Sequence, residues 1–301
     1  MDSKLLPRAT VKNLAARSNL WGAWLTCHVW GVIIGSICLF IAFPNAFTFV
    51  FAFMMVGSRQ HGMAILMHEA AHGVLFKSRK INDLVGEYVL AAPYGGNMKT
   101  YRQYHLKHHR HTQTANDPDL PLSAKFPVSR SSLRRKFFRD LTGQTFLRLR
   151  LAKFKNQSLE GSEAFEGAND KISANPVIWI NLGLLTLFTL AGHWWIYFAL
   201  WLAPLMTWFM AVLRLRNIAE HALTEENGNP LRHARTTQAN LLARIFLAPY
   251  WVNYHVEHHA YMFVPCFNLP KLHKALIYEG HESHMMKAPS YSQVLTQVAL
   301  N

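Results

Sequence analysis

The sequence predicts an all-α integral membrane protein, with four transmembrane helices in two hairpins and a cytoplasmic helical cap. Three observations carry this reading. Half of the 301 residues are hydrophobic and only 16% are charged, against about 25% in an ordinary soluble domain. Long apolar runs come in two pairs, each pair joined by a short turn. The net charge of +14 is concentrated outside those runs, where the positive-inside rule places cytoplasmic segments.

Trp21 to Phe43 holds no charged residue. At 1.5 Å per residue it is long enough to cross a hydrocarbon core of about 30 Å. Pro44-Asn45 is a turn signal, so Ala46 to Met67 is the return span, interrupted by Arg59, Gln60 and His61. Either the membrane ends near Gly57 and the helix projects into the cytoplasm, or Arg59 faces the bundle interior. Projection is preferred, because it carries His68 and His72 into water where metal can reach them. Arg59 is also a candidate partner for an anionic head group. Ile81 to Tyr94 is apolar apart from Asp83 and Glu87, and reads as a helix at the interface or buried against the others. Ser158 to Asn175, rich in Gly, Ser, Asn and acids, reads as a flexible loop. Pro176 to Ala191 and Trp194 to Leu213 form the second hairpin, joined by Gly192-His193. Leu241 to Val252 is an amphipathic stretch expected to dock on the membrane face beneath the cap.

The chain is thus expected to form one domain over residues 1–301. Its spans are about 21–43, 46–67, 176–191 and 194–213, and its cap is 68–172 with 214–301. The first apolar run is too long for a removable signal peptide and lacks a small-residue cleavage site, so it is expected to stay. Between Lys99 and Lys171 fifteen Lys or Arg face seven Asp or Glu, and the N-terminus adds Lys4, Arg8, Lys12 and Arg17. Both basic segments flank apolar spans, which points to anionic lipid rather than nucleic acid. Cys27, Cys38 and Cys266 offer neither a disulfide frame nor a Cys-x-x-Cys pair.

Four stretches repeat one spacing. His68 and His72, His105 and His109, Asn217 and His221, and His255 and His259 each place two metal-competent side chains four residues apart, on one face of a helix. His108 and His258 add a third imidazole to two of the sets. Nine histidines and one asparagine point to a polynuclear metal site, since neutral nitrogen donors suit iron, copper or zinc. His68-Glu69-Ala70-Ala71-His72 also matches the H-E-x-x-H helix of zinc proteases. A zincin needs one further ligand and leaves the other six unexplained. A membrane metal carrier should place its ionisable groups at the midplane of the spans, whereas here they gather beyond the span ends.

In order, spacing and interleaving with two apolar hairpins, these boxes resemble those of the membrane fatty acid desaturase and hydroxylase superfamily, over residues 20 to 275. The resemblance implies a four-span bundle whose cytoplasmic cap holds two iron ions, with O2 as co-substrate, a channel for an acyl chain and an outside electron donor. It implies His68, His72, His105, His108, His109, His221, His255, His258 and His259 as iron ligands, with Asn217 reaching the metal directly or through water. His111 would orient a ligand or be structural. Glu69, Glu220 and Glu257, each beside a box histidine, would either orient imidazoles or form surface salt bridges. Asp117-Pro118-Asp119 would be a turn or helix cap that positions the second box, with a purely structural turn the preferred account.

The expected reaction is desaturation of a fatty acyl chain in a lipid or thioester. Carotenoid ketolases or hydroxylases, and fatty acid or alkane hydroxylases or decarboxylases, are the alternatives within the superfamily. The third box followed by Pro265 and Asn268-Leu269-Pro270 resembles the carotenoid-modifying branch. No cytochrome b5 signature, ferredoxin cysteine set or dinucleotide glycine motif is present, so electrons should come from a separate ferredoxin, rubredoxin or cytochrome b5 type partner. The basic cap would dock it.

Overall fold

The computed structural model describes residues 5–123, 125–155, 175–225 and 228–300. In chain order its helices are α1 (Arg8–Leu14), α2 (Asn19–Ala42), α3 (Ala46–His72), α4 (Arg79–Leu84, continued as a π-turn over Val85–Ala91 and a 3₁₀ turn over Ala92–Tyr94) and α5 (Met98–His111). Next come α6 (Leu120–Ser123), α7 (Arg130–Leu141), α8 (Gln144–Phe154) and α9 (Asn175–Leu190). They are followed by α10 (Trp194–His221), α11 (Leu241–Phe246), α12 (His255–Ala260), α13 (Leu269–Tyr278) and α14 (Tyr291–Val298). The sheet content described is two parallel pairs of two-residue strands, Val128–Ser129 with Ala299–Leu300 and Thr236–Thr237 with Lys287–Ala288. The expected loop over Ser158 to Asn175 lies almost wholly outside the described residues.

The first hairpin forms as its sequence dictates. Ser18 caps α2 through its hydroxyl to Trp21 N (3.2 Å). Asn45 and Thr48 close a capping box at the start of α3, satisfying backbone groups that the turn would leave bare. Leu25, Val29, Ile33, Ile37 and Phe40 make one buried stripe on α2, three to four residues apart as helical packing requires. The other side exposes Leu20, Trp24, Ile34 and Ile41, an apolar face suited to lipid. Helices α2, α3 and α10 are long and apolar enough to cross a membrane; the apolar part of α9, Pro176–Leu190, is shorter. At 1.5 Å per residue it reaches about 22 Å, less than a hydrocarbon core.

Helix α3 runs unbroken to His72, projecting past its apolar run as expected, and α10 reaches His221 through a π-turn over Tyr197–Leu202 and a break at Thr207 (φ −123°, ψ −80°); both apolar helices thus lead directly into their metal-box residues. Helix persists beyond the apolar run because the polar residues there are themselves buried: from Val56 to Ala71 almost all of α3 is inaccessible. Arg59 is 5% exposed and donates to the Ile245 carbonyl. Projection of the helix therefore does not carry Arg59 into water; it stays inside the protein.

Buried arginines tie the helix ends together. Arg102 on α5 donates from Nε to the Ala71 carbonyl (2.8 Å) and from Nη2 to Ala70 (3.0 Å) and Asp83 (2.6 Å). Arg235 does the same at the end of α10, reaching the carbonyls of Ala219 (3.1 Å) and Ala222 (2.7 Å). Each places a cation on carbonyls at a helix C-terminus, where the helix dipole favours positive charge. The start of α5 is held by Asn97, accepting from Thr100 N (3.0 Å), and by Glu87, accepting from Met98 N (3.1 Å). Gly86 permits this packing, since a Cβ there would lie 2.6 Å from the Ala70 methyl and 2.4 Å from the Met98 sulfur.

Candidate metal centre

The ends of α3, α5 and α10 and the short helix α12 bring the nine box histidines into adjoining groups. His68, His72, His105, His109 and His258 offer ligand atoms within 4.8 Å of one another; so do His108, His221 and His259, and so do Glu220, His221 and His255. The last two share His221, so the donors divide into one five-histidine group and one group of four histidines with a carboxylate.

The contacts between the rings suit a cation better than a hydrogen-bond network. His109 Nε2 lies 3.0 Å from Nε2 of both His105 and His258. His255 Nε2 lies 2.9 Å from that of His221 and 3.1 Å from that of His259. An imidazole nitrogen carries one proton or one lone pair, so it cannot satisfy two such neighbours at once. Two nitrogens at right angles, each about 2.1 Å from one metal, stand about 3.0 Å apart. The Nε2 atoms of His68 and His72 are buried without a partner, as ligand atoms awaiting a metal would be. Burial, and then the neighbouring imidazoles, hold His105, His109, His255, His258 and His259 well below the ordinary histidine pKa. These rings are neutral donors at pH 7, the form that binds metal.

Several rings are fixed from behind through Nδ1. His108 Nδ1 lies 2.8 Å from Asp117 Oδ1 and 3.5 Å from Asp119 Oδ2. Burial opposes charge on His108, but the Asp119 and Asp117 carboxylates outweigh it and raise its pKa. His221 Nδ1 faces the His233 carbonyl (3.2 Å) and His259 Nδ1 the Thr112 hydroxyl (3.4 Å). Tyr101 stacks on His105 at 5.1 Å and 12°. Such contacts choose the tautomer and hold the ring plane.

All nine histidines expected from the sequence come together. Asn217 is half-buried one turn before His221, and none of the hydrogen bonds of the box histidines among the described residues involves it. Its neighbour Glu220 takes the place beside the ligands, with Oε2 3.5 Å from His255 Nε2 and Oε1 accepting from Arg216 Nε (2.7 Å). None of the three box glutamates forms a surface salt bridge. Glu69 is 3% exposed and accepts from Cys266 N (2.7 Å), with Oε1 3.4 Å from His68 Nδ1. Glu257 is fully buried and engages Thr236 (2.5 Å) and His273 rather than a box histidine. His111 stands outside the three donor groups.

One supporting residue was read only in part and another not at all. Asp117, read as part of a structural turn, holds a ligand ring; its signal was an acid pair eight and ten residues beyond the box. His233 lies edge-on to His259 at 5.2 Å, with its Nε2 buried and unpartnered, and burial brings its pKa down to about 4. No spacing marks it, because it sits on a loop. The H-E-x-x-H match does not describe a protease site, since Glu69 is engaged by Cys266 and His68, and both histidines of the motif belong to the five-histidine group.

Apolar helices of spanning length that end in a shared histidine centre define a membrane protein with a candidate metal centre. The fatty acid desaturase family model matches residues 44–287, and the chain belongs to this family of oxidoreductases. It is 24% identical to the dihydrorhizobitoxine desaturase of Bradyrhizobium elkanii, over 81% of this chain and 69% of that protein. It is 25% identical to the zeaxanthin 4-ketolase of Chlamydomonas reinhardtii, over 87% of this chain but only about half (51%) of that longer protein. It is 22% identical to the sn-1 oleoyl-lipid 12-desaturase of Synechocystis sp., over 73% of this chain and 66% of that protein.

Proposed function

We propose that this chain is an O2-dependent di-iron oxidoreductase that introduces a double bond into a fatty acyl chain, drawing electrons from a separate ferredoxin, rubredoxin or cytochrome b5 type protein. The observation that carries the reading is the gathering of all nine box histidines into two adjoining groups. His68, His72, His105, His109 and His258 would hold one iron. His108, His221, His255 and His259 would hold the other, with Glu220 as a carboxylate donor and Asn217 reaching the metal directly or through water. Bound iron supplies the redox capacity to use O2 against an unactivated C–H bond, which zinc lacks. The chain's own residues keep His105, His109, His255, His258 and His259 neutral, and they fix ring planes and exclude bulk water.

The membrane arrangement belongs to the same reading: a multi-pass protein with α2 and α3 as one hairpin, α9 and α10 as the other, and the metal centre on the cytoplasmic side. A second outcome, ketone formation on a carotenoid, is favoured by the similarity to zeaxanthin 4-ketolase. Hydroxylation or decarboxylation would need the same centre, because the outcome depends on which hydrogens lie near the metal.

Lipid and pigment analysis of cells expressing the chain, beside a His258→Ala variant, reads substrate and outcome together. Protein from iron-replete cells should carry about two irons, one for each donor group. The variant should lose metal and product while still entering the membrane. A single tightly held zinc with O2-independent peptide hydrolysis would overturn the reading.

A further inference from the structure

A cavity of about 670 Å³ opens between α2, α3 and the Leu241–Trp251 segment, apart from the histidine centre. Trp24, Val32, Phe51 and Met55 supply apolar wall, and Arg59, Arg244 and His28 are its basic lining residues; no carboxylate is among the described residues that line it. Its size is that of a small-molecule site. Arg59 lies nine residues before His68 on α3, about 13 Å along the helix axis, and none of the box histidines is among the lining residues.

Arg59 is the informative residue. It is 5% exposed, lies in an apolar helix of spanning length and has no acidic partner among the described residues. One Nη donates to the Ile245 carbonyl and the guanidinium stands 5.9 Å over the Tyr250 ring, but Nε is buried without any partner. A cation with an unmet donor in apolar surroundings is costly, and ionisable groups within spans mark ligand sites. The backbone has been shaped around it. Tyr250 and Trp251 hold successive left-handed conformations, φ 54° and 58°, which bulky residues reach only under strain. Tyr250 thereby packs over Gly62, where a Cβ would fall 2.7 Å from its ring, and its hydroxyl meets His28 Nδ1 at 3.0 Å.

We propose that this cavity binds an amphiphile with an anionic head, a carboxylate or phosphate held by Arg59 and Arg244, with its alkyl chain against Trp24, Val32, Phe51 and Met55. Two cations without a carboxylate among the lining residues set the sign of the head. The apolar wall, continuous with the exposed Leu241 and Leu242 of α11, sets the tail and lets it arrive from the bilayer. The site needs no metal and stands or falls independently of the desaturase reading.

The test uses full-length protein in phosphatidylcholine nanodiscs and a photoreactive fatty acid, with oleate, dioleoyl phosphatidic acid and oleyl alcohol as competitors. Labelling should fall on residues 24–32, 51–59 and 242–253. An anionic competitor should displace the probe about tenfold better than the neutral alcohol, the scale of one charge-assisted hydrogen bond. Stronger competition by oleate assigns a fatty carboxylate, and stronger competition by phosphatidic acid a phospholipid phosphate. Arg59→Gln should abolish the preference for anions without weakening the alcohol, and Arg59→Lys should keep it. Because Arg59 also bonds Ile245, the rim variant Arg244→Gln, on an exposed residue, serves as the second probe and should reduce the preference several-fold. Equal competition by oleyl alcohol, labelling confined to other segments, or full preference in both glutamine variants would each overturn the proposal.

Discussion

Asp117 shows what a single residue contributes to the centre and why it escaped the sequence. Its Oδ1 takes His108 Nδ1 at 2.8 Å and Asp119 N at 2.8 Å, and its Oδ2 accepts from Gln113 N at 2.8 Å. One carboxylate therefore fixes both the loop after α5 and the ring of a ligand. Removing its charge in Asp117→Asn, at nearly unchanged volume, should weaken metal retention about 10- to 100-fold, the usual effect of losing such a supporting contact. Metal titration of the purified variant checks it; unchanged affinity would make Asp117 a turn residue after all. The nine histidines were readable because i, i+4 spacing is written along the chain. Their supports were not: His221 is held by the carbonyl of His233, and Glu69 accepts from Cys266 N 197 positions away. Only folding creates such pairs.

At the scale of elements, the apolar runs gave the helices and the Pro44-Asn45 turn, but not where the helices stop. Hydropathy ends a span at the last apolar residue, whereas α3 and α10 end where an arginine from elsewhere takes their last carbonyls. Arg102 joins the first two boxes in this way, bridging the end of α3 to α5 three residues before His105. The bond is worth about 1.5–3 kcal/mol, the range for hydrogen bonds to a charged group. In Arg102→Met, which keeps an unbranched apolar stem and removes the guanidinium, thermal stability should fall by roughly that amount. Metal should also be lost more readily, because His72 and His105 then move relative to each other. A variant that loses stability but holds metal like the parent would mean the boxes are positioned independently of this bridge.

For the molecule as a whole, the histidine centre constrains the topology. His72 ends α3 and His221 ends α10, and both belong to the shared centre, so the beginnings of these helices, beside Asn45 and His193, point the same way. With 27 and 28 residues, both turns lie about 40 Å from the centre along the helix axes. The two turns are also neighbours: Phe40, at the end of α2, meets Trp195, at the start of α10, ring to ring at 5.9 Å. On the proposed arrangement, a membrane crossed by these helices would have Asn45 and His193 on one side and the histidine centre on the other, as the positive-inside rule expects from the basic segments around α5 to α8. In a variant lacking Cys27, Cys38 and Cys266, a cysteine placed at Asn45 or His193 should react with an impermeant thiol reagent in intact cells. One at Ser129 or Ser283, both exposed, should react only after the membrane is opened. If Ser129 and Ser283 label differently from each other, the segments after the second and third boxes lie in different compartments, and the 3.0 Å approach of His109 to His258 could not exist in the cell.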